Sequence, residues 1–110
     1  MNEQLTVLAW LKARPGMEET VKQELLALVE PVRFEGTKRG LLNYDQHQDP
    51  QDRTRFFLYE NWLSRKHYDD YHANRPAALK AFLAKGEEIL AEPPRSTFWQ
   101  MISEEAHDEE

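Results

Sequence analysis

The chain has 110 residues, enough for one domain with one modest core. Hydrophobic residues make up 40% and charged residues 31%, an ordinary soluble composition, and no run of about 18 apolar residues is present to span a membrane. Of the net charge of −6, five negative charges lie in the stretch 104–110. That leaves −1 for the rest, no basic stripe for nucleic acid, and no cysteine for disulfides, thiol nucleophiles or cysteine-bound metals.

LTVLAWLKA (Leu5 to Ala13) reads as a strand closed by the turn signal Arg14-Pro15-Gly16. From Glu18 to about Arg33, Val21, Leu25, Leu28, Val29 and Val32 form one amphipathic helical stripe, with Pro31 predicting a kink or an early stop. EGTKRG (35–40) reads as a loop and LLNYDQHQ (41–48) as a strand. The Asp-Pro turn in DPQDR then leads to a second hairpin arm, TRFFLYENWL (54–63). Ser64 is a candidate N-cap for a helix running to about Asn74, and Pro76 opens a further helix with Leu79, Phe82, Leu83 and Leu90 as its buried stripe. Pro93-Pro94 ends that helix, and RSTFWQMIS (95–103) is the last strand.

The order strand–helix–strand–strand–helix–strand predicts an α+β, ferredoxin-like single domain over 1–103, with an antiparallel sheet and helices on one face. Residues 104–110 are expected to form an acidic disordered tail. The strands do not alternate cleanly. Phe56, Leu58 and Trp62 oppose Phe57 and Tyr59, so both faces want cover while helices supply only one. A second copy of the sheet is the expected cover, with Tyr44 and Tyr59 packing against it, giving a homodimer. With no signal peptide, a cytoplasmic location is expected.

No GxGxxG, phosphate loop or nucleophile-elbow serine occurs. His67 and His72 are five apart and so cannot form a helical metal pair; no metal and no dedicated cofactor site are expected. The residues that remain are polar and aromatic. Glu60 and Trp62 share a strand face, and Tyr68, Tyr71 and His72 share a helix face. Leu58 and Phe82 would complete an aromatic-lined space suited to a flat organic ligand. Bland alternatives stand beside each: Trp62 as plain core, His72 as a structural histidine, and Glu60 as an exposed strand-end charge or an arginine partner across a dimer.

The pieces closing on ARPG, then LVEPVR, GLLNYDQHQDP, RFFLYENW, SRKHYDDYH and KAFL follow one another in an order that resembles the antibiotic biosynthesis monooxygenase (ABM) family of dimeric α+β barrels. The resemblance runs from about Leu5 to Ile102. It implies a ferredoxin-like protomer paired through its sheet. It also implies oxidation of a quinol-like or polyphenolic small molecule with oxygen and no cofactor, in a space between sheet and helices. Glu60 and Trp62 match family positions. The family's helix histidine falls on Tyr71 by direct count, or on His72 with one inserted residue. A second histidine common among relatives is Ala77 here, and the asparagine of haem-degrading members is Ala9, which disfavours haem degradation. The mechanism implied has His72 or Glu60 as the base that removes a phenolic proton, with Trp62, Tyr68 and Tyr71 around the ring. The alternatives are a small-molecule binding or sensing protein without turnover, and an isomerase of a small phosphorylated or polar signalling metabolite. The isomerase would want cations in the site, and Arg65, Arg75 and Lys80 lie nearby in sequence.

Overall fold

The computed structural model describes residues 3–103; the expected acidic tail lies outside them. Four strands, β1 (Leu5–Lys12), β2 (Leu41–Gln48), β3 (Arg55–Trp62) and β4 (Arg95–Gln100), form one antiparallel sheet in the order β2-β3-β1-β4. Four helices, α1 (Glu18–Leu26), α2 (Val29–Thr37), α3 (Arg65–Ala73) and α4 (Ala77–Ile89), occupy the connections. This is the predicted ferredoxin-like arrangement, in which the central strands β1 and β3 contribute Val7, Leu11, Phe56, Leu58 and Trp62 to the core.

Side chains facing the helices come from Val7 and Leu11 on β1 and from Phe56, Leu58, Glu60 and Trp62 on β3, all buried. The register places Val7 beside Glu60 and Ala9 beside Leu58. On β4, Ser96 and Phe98 lie opposite Ala9 and Val7. A bulge at Leu42 interrupts the β2–β3 pairing, so Leu41 and Tyr44 are both buried although they are three residues apart. Tyr44 therefore packs under the helices, not on the open face, where the expected sheet partner would have met it. Tyr59 stays on the open face and is half-buried. His47 is exposed and stacks on Phe57 with ring centroids 4.5 Å apart.

The single helix expected over 18–33 is two helices broken at 27–28. Pro31 is not the break. It sits in the first turn of α2, where backbone N–H groups have no intrahelical acceptor and a missing one costs nothing. α2 then runs on through 35–37, so the predicted loop contracts to Lys38, Arg39 and Gly40. Gly40, at φ +103°, lies so close to His67 that a Cβ would come within 2.6–2.8 Å of its side chain; this contact seats the start of α3 against the end of α2.

Ser64 is the N-cap of α3, its Oγ accepting the His67 amide at 3.3 Å. Asp49 Oδ1 accepts the amides of Gln51 at 2.8 Å and Asp52 at 3.3 Å, closing the predicted Asp-Pro turn. Leu83 departs from the expected buried stripe of α4 and is 37% exposed. β4 stops at Gln100, and Ile102 is 96% exposed, because the last strand pairs only with β1 and has nothing to pair with beyond Leu5.

Candidate functional site

Between the sheet and α3–α4 lies a cavity of about 240 Å³. Every candidate named from the sequence lines it: Leu58, Glu60 and Trp62 from β3, Tyr68, Tyr71 and His72 from α3, and Phe82 from α4. The strand period of two sets Leu58, Glu60 and Trp62 on one face. The helix period puts Tyr68, Tyr71 and His72 over them. Trp62 anchors the cluster, with ring centroids 5.0 Å from Tyr71, 5.7 Å from Tyr68 and 6.4 Å from His72. Both candidates for the helix position face the cavity, Tyr71 fully buried and His72 half-buried.

Glu60 is not an exposed strand-end charge. It is 8% exposed, and no cation among the described residues pairs with it. Its one hydrogen bond is from the Trp62 indole, Nε1 to Oε1 at 3.0 Å. Burial penalises the carboxylate and outweighs that bond, lifting the pKa to about 7.

His72 shifts the other way. Burial, then the Arg75 guanidinium, with Arg39 adding and Asp69 opposing, lower its pKa to about 4. The depressed value favours the neutral imidazole at neutral pH. Arg75 Nε donates to His72 Nδ1 at 3.3 Å, so Nδ1 is an acceptor and the ring proton of the neutral imidazole belongs on Nε2.

The tyrosines are held as neutral phenols. Burial, reinforced by Glu60, raises Tyr68, while a hydrogen bond with Ser96 opposes the rise. Burial also pushes Tyr71 up to about 12, and its buried hydroxyl has no protein partner among the described residues. Tyr44 and Ser96 were not foreseen as cavity residues. The bulge at Leu42 hid the first, and Ser96 is one polar residue in an edge strand without a pattern to mark it. Of the three nearby cations, only Arg75 reaches the cavity. Among the described residues, no group of three or more His, Asp or Glu side chains is placed to hold a metal ion, and no helix is long and apolar enough to cross a membrane.

The single antiparallel sheet, with a small aromatic cavity between it and the helices, places the chain in the class of ferredoxin-like α+β domains. The family model described as antibiotic biosynthesis monooxygenase matches residues 4–85, and the chain belongs to that family. A Pseudomonas aeruginosa protein of known crystal structure is 28% identical, with a TM-score of 0.80 over 94% of this chain and 98% of its own. A Mycobacterium tuberculosis protein is 22% identical, with a TM-score of 0.77 over 92% of this chain and 97% of its own. A Caulobacter crescentus protein described as a candidate antibiotic biosynthesis monooxygenase is 19% identical, with a TM-score of 0.77 over 93% and 92%. These last two likenesses show the shared fold. No protein of curated function matches the chain.

Proposed function

We propose that the cavity oxidises a small quinol-like or polyphenolic molecule with molecular oxygen and without a cofactor, and that Glu60 is the base. The observation that carries this reading is the placement of Glu60, a carboxyl buried in an aromatic-lined cavity and relieved only by one indole N–H, so that burial pushes its pKa up to about 7. A general base is most effective with a pKa near the working pH, and burial leaves this carboxylate more basic than a solvated one. His72, neutral and depressed to about 4, is the weaker candidate.

In the proposed reaction Glu60 takes the phenolic proton as the ring lies against Trp62 and Tyr68. The electron-rich anion reacts with oxygen at a ring CH, and the hydroperoxide formed there loses water. A phenol bearing that CH plus O2 thus gives a quinone plus H2O, with one oxygen atom retained and the other reduced. The cavity volume matches roughly eight waters at about 30 Å³ each and lies below the range of drug-sized sites, so it favours one or two rings over a large polycycle.

The open face of the sheet supports a homodimer in the same reading. Trp10, Phe57 and Tyr59 are partly exposed there and Trp99 is 56% exposed, a set a twin sheet would cover.

The test is aerobic oxidation of 1,4-naphthoquinol, followed as protein-dependent formation of 2-hydroxy-1,4-naphthoquinone, the product of oxygen insertion at the ring CH with loss of water, and distinguished from the spontaneous route to 1,4-naphthoquinone and H2O2. Glu60→Gln should lower that rate by roughly 10²–10⁴-fold, the range for loss of a general base. The wild-type rate should rise with pH through about 7 as the carboxyl ionises. A rate unchanged in both Glu60→Gln and His72→Ala would refute the assignment. Thermal stabilisation by the quinol without oxygen consumption would point instead to a binding protein.

A further inference from the structure

The cavity has one cationic side chain in its lining, and that cation is unspent. Arg75 lies in the link 74–76 between α3 and α4, directly before Pro76, a position that favours extended backbone. The other cations near this end of the molecule are engaged or turned away. Arg65 pairs with Asp69 at 3.1 Å and covers the Phe98 ring at 4.3 Å. Arg39 donates to the carbonyls of Asp70 and Tyr71 and lies over the Tyr71 ring at 4.8 Å. Lys80 does not line the cavity. No carboxylate among the described residues pairs with Arg75; its one hydrogen bond there is from Nε to His72 Nδ1.

That bond leaves a specific part of the guanidinium unused. With Nε committed, the two terminal Nη groups remain as a parallel pair of donors, the geometry that matches a carboxylate bidentately. His72 can serve as the anchor only while Nδ1 is unprotonated, and its half-buried place beside a cation keeps it so. The rest of the lining is largely apolar or phenolic. Glu60, the single acid among the lining residues, leaves room for one ligand charge while its carboxyl is protonated and disfavours a doubly charged ligand. One cation, a small aromatic chamber and an acid at its floor fit a monoanion joined to a ring, not a phosphate dianion.

We infer that Arg75, held by His72 Nδ1, forms a carboxylate subsite at the cavity, and that the preferred ligand is an aromatic monocarboxylate. This rests on reading the cavity as the binding site but not on oxidation taking place in it. Within it Arg75 is a specificity-determining residue and His72 a positioning residue, not the base.

The test separates charge recognition from chemistry. The full chain is titrated calorimetrically at pH 6.5 with 2-naphthoate and with its neutral methyl ester. Wild type should bind the acid at least tenfold more tightly than the ester. Arg75→Gln and Arg75→Ala should each remove that preference and leave ester affinity within about twofold. Arg75→Lys should keep only part of it, because an ammonium cannot offer the paired donors. His72→Ala should weaken both ligands through loss of a cavity-lining ring, but the acid severalfold more, so the acid-to-ester ratio falls, which general loss of packing would not give.

Equal affinity for acid and ester in wild type, equal weakening of both by Arg75→Gln, or no measurable binding of 2-naphthoate would each overturn the subsite. An Arg75-dependent acid preference in a protein that fails to oxidise naphthoquinol would retain the subsite and remove the proposed oxidation. Oxidation without any acid preference would do the reverse.

Discussion

The two faces of β3 carry similar residues and meet different fates. Toward the helices, Phe56, Leu58, Glu60 and Trp62 are each between 1% and 8% exposed. Toward the open side, Phe57 and Tyr59 are only partly covered, and Asn61 alone is fully buried. Asn61 owes its burial to neighbours in the sheet: it accepts from Thr6 Oγ1 at 2.6 Å and donates to Asn43 Oδ1 at 3.0 Å. The helix face completes its own burial, so a carboxylate placed there is forced toward its neutral form. The open face satisfies its polar groups laterally and leaves its aromatics for another surface. Chemistry can be tuned on the first face, and the proposed pairing of chains would use the second.

Four substitutions sharpen that contrast, in descending order of expected effect. Trp62→Ala empties the middle of the helix-side cluster and removes the one donor to Glu60. It should destabilise the fold by about 3–5 kcal/mol in urea titrations, as large-to-small core changes do.

Glu60→Gln comes next and should change the pH dependence of stability. Because the folded pKa is raised from 4.5 to about 7, Glu60 contributes most at and below pH 4.5, and that contribution is lost as pH rises through 7. The shift corresponds to about 3 kcal/mol, so Glu60→Gln should gain stability relative to wild type by up to that amount at pH 8. His72 acts with opposite sign. Its folded pKa is depressed, so its contribution is present above pH 6.5 and lost as pH falls toward 4. In wild type the two slopes oppose each other between 4.5 and 6.5. In Glu60→Gln, stability followed by denaturant midpoints should instead climb steadily with pH across that interval.

On the other face, Phe57→Lys tests the proposed pairing. It should weaken the dimer by about 2 kcal/mol, seen as a shift toward monomer in dilute sedimentation runs, with naphthoquinol oxidation per folded chain largely retained. A wild-type protein that is already monomeric at micromolar concentration would end the dimer proposal. The smallest effect is expected from Ser64→Ala, which removes the cap of the helix carrying Tyr68, Tyr71 and His72. A loss of about 1 kcal/mol should appear as a melting point lower by several degrees.

Much of the fold and of the cavity lining is legible in the sequence. β2 runs over the predicted residues, the Ser64 cap and the Asp-Pro turn form as expected, and all seven candidate site residues line one cavity. These features follow from local rules: strand parity, helix period, a capping hydroxyl and a turn-forming carboxylate. Pro31 was misread because a proline signals that a helix boundary is near without saying on which side, and here the boundary lies before it. Tyr44 was misplaced because one bulged residue reverses the parity of everything after it.

The candidate side chains that β3, α3 and α4 bring to the cavity were thus set by the order of amino acids alone, through periods of two and 3.6 along the backbone. Their acid–base roles were not. Glu60 and His72 exchanged the protonation behaviour their side chains have in water. Desolvation and neighbouring charge depend on what α3, α4 and Arg75 bring within a few ångströms, which is a property of packing and not of any local stretch.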